Sequence, residues 1–108
     1  MRALGDDGST ALHHASAAAQ PQIVEKLLDH SADPDIMTIE DGYTSLHYGA
    51  LSGGYQVVQL LVEKGHASID IVSISGAAPV HVAALGGDVR TMRVLLGAKV
   101  VPEPREMV

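Results

Sequence analysis

Three segments of the chain, Ser9-Thr10-Ala11-Leu12-His13, Tyr43-Thr44-Ser45-Leu46-His47 and Ala77-Ala78-Pro79-Val80-His81, align so that their histidines stand 34 residues apart each time. The agreement continues in phase through Gly8, Gly42 and Gly76, through Ile23, Val57 and Thr91, through Val24, Val58 and Met92, and through Leu27, Leu61 and Leu95. A period of this length marks one supersecondary unit that cannot bury its apolar face alone and has to stack on copies of itself. The chain is therefore expected to form three layers, each touching its neighbours.

Within a unit, the glycine ahead of the motif supplies a turn that tolerates φ > 0. Thr10 and Thr44 stand where a hydroxyl can cap a helix, and Pro79 stands where its missing N–H costs nothing. A short first helix is expected over 10–18, 44–52 and 78–85, followed by a second with apolar residues at helical spacing: Ile23, Val24, Leu27 and Leu28; Val57, Val58, Leu61 and Val62; Met92, Leu95 and Leu96. Gly53-Gly54 and Gly86-Gly87 separate the two helices in the later units, and Ser31, Gly65 and Gly97 are expected helix ends. The partly β-branched runs at 35–39 and 69–74 are expected as extended arms. The fold class is thus all-α, a solenoid of three stacked helix–turn–helix units joined by β-hairpin-like arms.

Composition supports thin layers. Among 108 residues there is no Phe or Trp, and the three aromatics are Tyr43, Tyr48 and Tyr55, so the core has to be built from Ala, Val, Leu and Ile. The net charge is −6, with the excess acid lying before Gly42 and a neutral remainder; this argues against a phosphate backbone as partner, which needs clustered Lys and Arg. Without cysteine there are no disulfides or thiolate metal sites. No stretch approaches the roughly 20 apolar residues of a membrane span, and Met1 to Gly5 is too short and polar for a signal peptide.

These residues resemble the ankyrin-repeat family, whose pattern is Gly-x-Thr-Pro-Leu-His-x-Ala-Ala, a Gly, Val-Val-x-Leu-Leu-Leu and Gly-Ala. The second unit matches it at Gly42, Thr44, Leu46, His47, Ala50, Gly53, Val57, Val58, Leu60 and Leu61; the third at Gly76, Pro79, His81, Ala83, Ala84, Gly87, Leu95, Leu96 and Ala98; the first at Gly8, Thr10, Leu12, His13, Ala15, Ile23, Val24, Leu27, Leu28 and Ala32. The likeness covers about residues 5–100, giving one domain over 1–108 with repeats near 5–38, 39–72 and 73–104. The period exceeds the family's 33 by one residue. That residue is placed in the arm between Ala32 and Gly42 in the first unit and at His66 in the second. Ala19 replaces the inter-helix Gly, making that turn less regular, and Gly49 replaces a packing Ala at a helix cost of ~0.5–1 kcal/mol. Val100-Val101-Pro102-Glu103-Pro104 starts a further arm, and neither end carries a polar closing helix, so the chain is expected to be a fragment of a longer, intracellular protein.

Six histidines invite a metal, but His13, His47 and His81 occupy equivalent places in layers about 10 Å apart, too far to share one ion with bonds near 2 Å. They are expected as framework linking each helix turn to the neighbouring layer. His13 and His14 point to different helix faces, and His30 and His66 sit at helix ends, where positive charge is favourable. The serines occupy turns and caps, with no Gly-x-Ser-x-Gly elbow, and the Gly-Gly pairs lack the order of a phosphate loop. Asp33-Pro34-Asp35 and Glu40-Asp41 could at most hold a weak calcium site. No enzyme activity, cofactor or metal is expected.

The resemblance implies a protein-binding face made of arm tips and the exposed side of the first helices. Here it would comprise Met37, Ile39, Glu40, Asp41 and Tyr43 with Leu51 and Ser52; Val72, Ile74, Ser75 and Ala77 with Leu85; and, in the first unit, Asp6, Asp7, Ser9, His14, Ala17 and Ala18. An apolar strip exposed to water marks an interaction site, and Tyr is a frequent anchor; Ile39, Val72 and Ile74 have packing of arm against arm as their competing role. The expected function is a non-catalytic protein–protein interaction module whose partner offers an apolar segment flanked by basic residues, with neither nucleic acid nor membrane as partner. The alternative is a unit that forms a homo-oligomer through its uncapped ends.

Overall fold

Each layer starts from a local capping decision. The Thr10 hydroxyl accepts the backbone N–H of His13 at 3.3 Å, and Thr44 repeats the bond toward His47 at 3.3 Å. The computed structural model describes residues 8–99 other than Gly53 and Gly87. Among these residues six helices follow in order: α1 Ala11–Ala17, α2 Pro21–Asp29, α3 Ser45–Ser52, α4 Tyr55–Glu63, α5 Pro79–Gly86 and α6 Val89–Lys99. The first helices α1, α3 and α5 pack in one row and α2, α4 and α6 in a second. At the start of α6 the Asp88 carboxylate accepts the N–H groups of Arg90 and Thr91 and the Thr91 hydroxyl. Desolvation works against its charged form, yet these bonds hold the carboxyl below its ordinary range.

The turns between helices are more regular than the residues at them promise. After α1, Gln20 N–H reaches Ala15 O at 3.1 Å and Ala19 N–H reaches Ser16 O at 3.1 Å, the two bonds of a Schellman ending, with Ala19 at φ 54°. Gly54 N–H repeats the longer bond to Gly49 O at 3.1 Å. The expected irregularity at Ala19 is therefore corrected: the hydrogen bonds are kept, and the missing glycine shows up as left-handed backbone on an alanine. Helix α2 closes the same way on Ser31, at φ 66°, with Ala32 N–H bonded to Leu27 O. In the second unit the corresponding carbonyl, Leu61 O, is reached by Ala67, one position further on, and the left-handed residue is His66 at φ 54°. Gly65 is required by close approach, since a Cβ there would come within 2.8 Å of the backbone Leu61 O and 2.9 Å of Leu28 Cδ2. Gly97 does not end its helix. It lies inside α6, and a Cβ there would meet nothing within 4 Å among the described residues.

The core is aliphatic and runs through all three layers: Leu12, Val24, Leu46, Ala50, Val57, Val58, Leu61, Val82, Ala83 and Leu95 are buried. Each large member stabilises the fold by ~1.5–3 kcal/mol. Gly49 faces this core, where a Cβ would sit 3.2 Å from both Val57 Cγ1 and Val58 Cγ2. The hydroxyls of Ser16 and Ser45 are buried without a partner among the described residues.

The arms are tight turns; among the described residues no strand forms. Thr38 N–H bonds Tyr43 O at 3.0 Å, and Ser73 N–H bonds Ala77 O at 2.8 Å, so the earlier turn is one residue longer. One arm leans on the next through Ile74 N–H to Asp41 O at 3.0 Å. The third-unit glycine Gly87 and Val100-Val101-Pro102-Glu103-Pro104 lie outside the described residues, as does Gly53.

Candidate functional site

The motif histidines tie one layer to the next. His13 is buried; its Nδ1 accepts Thr10 N–H at 2.8 Å, which leaves the proton on Nε2 to be donated to Ile36 O at 2.8 Å and Tyr43 O at 3.1 Å. His47 does the same between Thr44 N–H, at 3.1 Å, and Ala77 O, at 2.8 Å. Burial pushes the His47 ring below its ordinary pKa, and the bond to Ala77 O partly opposes this. His81 accepts Ala78 N–H at 3.0 Å but is exposed, and among the described residues nothing receives its Nε2–H. At the far side of the stack His30 and Lys64 do local work: His30 Nδ1 bonds Lys26 O, and Lys64 bridges Asp29 at 2.8 Å and Glu25 at 3.7 Å. Those two carboxylates, Asp29 first, hold the Lys64 ammonium charged to higher pH than usual.

The carboxylates of Asp33 and Asp35 are engaged by backbone N–H groups of the arms. Asp33 accepts the N–H of Asp35, and Asp35 in turn accepts Ser68 N–H at 2.9 Å, pinning the first arm to the loop after α4.

The candidate face divides into two groups. Met37, Ile39, Val72, Ile74, Leu51 and Leu85 are exposed, with Ile39 at 69%, Ile74 at 68% and Leu85 at 85%. Ile39 and Ile74 also lean on the preceding arm, beside Gly8 and Gly42, so arm packing and exposure hold together in the same residues. Glu40, Asp41, Ser52 and Ser75 are exposed as well. Tyr43 and Ala77 are half-buried and carry framework tasks, because their carbonyls receive His13 and His47. The Tyr43 ring stacks on His47 with centroids 4.9 Å apart. The Ser52 hydroxyl donates to Ser16 O at 3.2 Å. In the first unit Ser9 is buried and bonded to exposed His14, Ala17 and Ala18 are exposed, and Asp6 and Asp7 lie outside the described residues.

Sequence reasoning missed Tyr48. Its ring meets Tyr43 at 5.3 Å and His13 at 5.6 Å, forming a row of four rings across the first two layers. The available signal was its register, one residue past the motif histidine, where the first unit has exposed His14. A second feature appears only in three dimensions. Among the described residues, Lys26, Lys64, Arg90, Arg93 and Lys99 all sit on or at the ends of the second helices, whereas the arms carry Asp33, Asp35, Glu40, Asp41 and Asp70 and, like the first helices, no Lys or Arg.

The family model for ankyrin repeats, in three copies, matches residues 1–73. The chain belongs to the ankyrin-repeat family. The match ends before α5, but α5 and α6 repeat the helix pair of the earlier ankyrin units in phase, including His81 and Leu95. No curated protein matches the chain closely enough to count as a relative. Ankyrin repeats generally mediate protein–protein interaction and are typically non-catalytic. Among the described residues no helix is long and apolar enough to cross a membrane.

Proposed function

We propose that this ankyrin-repeat chain binds an intracellular partner protein through its arm tips and the adjoining first helices, and that the partner presents an extended apolar segment flanked by Lys or Arg. The observation that carries this reading is the segregation of charge among the described residues: a surface with exposed Ile39, Met37, Val72 and Ile74, several carboxylates and no Lys or Arg, backed by second helices that carry Lys26, Arg90 and Arg93 and end at Lys64. Apolar contact supplies affinity at the centre, and charge complementarity sets orientation and on-rate.

The test is selection from a displayed library of random peptides, followed by titration of the enriched sequences. Enrichment of apolar segments bracketed by Lys or Arg is expected, with binding lost in Ile39→Asp and Ile74→Asp and weakened several-fold, with a flatter salt dependence, in Glu40→Lys/Asp41→Lys. Binding indifferent to all four substitutions would refute this choice of face. Self-association through the ends of the stack is a second reading, favoured by the Nε2–H of His81, which has no acceptor among the described residues.

A further inference from the structure

We propose that the partner segment lies along the stack as a polyproline II helix, with an apolar side chain at every third residue and Lys or Arg at the end that rests over the second arm. This inference rests on the arm-tip reading and adds to it the conformation and period of the partner. It starts from exposed apolar residues that recur at equivalent places one layer apart. Ile39 stands against Gly8 and Ile74 against Gly42, their Cγ1 atoms 3.0 and 3.1 Å from where a Cβ on the glycine would be, and they are 69% and 68% exposed. Met37 and Val72, each just ahead of its isoleucine, are 43% and 50% exposed. Leu51 and Leu85, one period apart on the first helices, are exposed too. The surface thus offers the same apolar contacts twice, at a step of one layer.

That step selects the partner's backbone. Packed helices, and so the layers they build, stand about 8–10 Å apart. A β-strand brings side chains back to one face at about 6.6 Å and again near about 13 Å, and meets the step at neither. It would also need backbone partners, but in the third arm the N–H groups of Ser73, Ile74, Gly76 and Ala77 are bonded to Ala77 O, Asp41 O, Ser73 O and the Ser73 hydroxyl. An α-helix returns to one face after seven residues, about 10.5 Å, but it is ~10–12 Å across and would lie over the carboxylates of Glu40 and Asp41 beside Ile39. A polyproline II helix turns once in three residues and rises about 9 Å in doing so. Its backbone is already solvated and asks no ladder of the arms. One of its edges then follows the isoleucines, the next follows the leucines, and the third faces water. The two arm tips also differ in charge. Between isoleucine and glycine the second arm carries exposed Glu40 and Asp41, whereas the third has Ser75 alone. A cationic side chain is therefore favoured over the second arm's tip and not over the third's.

Fluorescence anisotropy of labelled peptides titrated with the full 108-residue chain tests this. The probe is Lys-Lys-Leu-Pro-Pro-Leu-Pro-Pro-Leu, made in both chain directions. It is compared with Lys-Lys-Leu-Pro-Pro-Pro-Leu-Leu-Pro, also in both directions, which has the same composition but no leucines at the period. A third peptide is an alanine-rich helix with leucines seven apart behind the same two lysines. The better direction of the probe is expected to bind about tenfold tighter than either comparison, the worth of one well-buried leucine. That lead should vanish in Ile39→Asp and in Ile74→Asp. Removing the lysines should weaken binding several-fold with the natural chain and leave it unchanged with Glu40→Gln/Asp41→Asn. Binding that ignores leucine spacing, or that prefers the helix, overturns the polyproline II inference and leaves the arm-tip reading standing. A lysine effect that survives Glu40→Gln/Asp41→Asn overturns the placing of the cation. Failure of every peptide to bind, or binding that Ile39→Asp and Ile74→Asp leave untouched, overturns the inference and the arm-tip reading together.

Discussion

His47 and His81 occupy the same place in the same motif, accept the same backbone N–H three residues upstream, and yet differ in almost everything that matters to stability. His47 is fully buried and donates to the next layer; His81 is exposed with no described acceptor. The motif specifies the local half of the interaction, and the neighbouring repeat specifies the other half. In a stacked protein, then, a side chain's energetic weight depends on which layer follows it, and substitution at equivalent places should measure that difference directly.

The largest effect should come from His47→Ala. It empties a buried ring's volume and strands both Thr44 N–H and Ala77 O, and each unpaired buried group costs about 1–3 kcal/mol. A loss of about 3 kcal/mol is expected in urea unfolding, against less than about 0.5 kcal/mol for exposed His81→Ala. Equal losses would show that the interlayer bond adds nothing. The same contrast has a pH signature. Burial holds His47 below its ordinary pKa of 6.5 in the folded state, so between the two values the unfolded chain binds the extra proton. Its contribution is complete above about pH 6.5 and is lost as pH falls through that value toward the folded pKa, where the loss levels off. Stability measured across that window should slope less steeply with pH in His47→Gln than in the natural chain.

What the sequence made legible, and what it did not, follows from the same distinction. Helix starts at Thr10, Thr44 and Pro79, the framework role of the motif histidines and the sites of the two extra residues are settled within a few positions along the chain or by register against the other units. The helix through Gly97 was misread because glycine ends α-helices only where a turn uses its freedom, and none does there. The exposure of Ile23 where Val57 is buried, the pairing of Tyr48 with Tyr43, and the gathering of the described Lys and Arg on the side of the stack opposite the arms depend on what lies across a layer. No local pattern records that. At the candidate face, the exposed residues were legible as those the repeat framework does not need, while the framework duties of Tyr43, Ser52 and Ala77 were not.

The first unit compares with the second in a way that sharpens this further, because it is the less finished copy. Ser16 is buried, its hydroxyl without a partner among the described residues, where the later units have Ala50 and Ala84. Ser16→Ala should raise stability by about 1 kcal/mol, or roughly 4–8 °C in Tm for a domain of this size. A loss instead would show that the hydroxyl has a partner in solution. Ala19→Gly should add about 0.5–1 kcal/mol, because it relieves the left-handed backbone at φ 54° by slightly more than it loosens the unfolded chain. The reverse outcome would place the strain elsewhere in the turn.

The smallest effect is expected at Gly49, where the first unit carries Ala15 in the same register. Helix propensity alone favours alanine by ~1 kcal/mol. Against that, the added methyl would stand 3.2 Å from one γ-methyl of Val57 and one of Val58, and neither valine has solvent to retreat into, since both are fully buried. A shift of a few tenths of an ångström in α4 would have to be transmitted to the layers on both sides of it. The two contributions are comparable and opposite, so Gly49→Ala should change stability by less than about 0.5 kcal/mol in thermal or urea unfolding. A gain near 1 kcal/mol would mean that α4 moves freely and that the second layer is packed less rigidly than its complete burial implies. A loss above 1 kcal/mol would mean that glycine is there because the layer cannot yield.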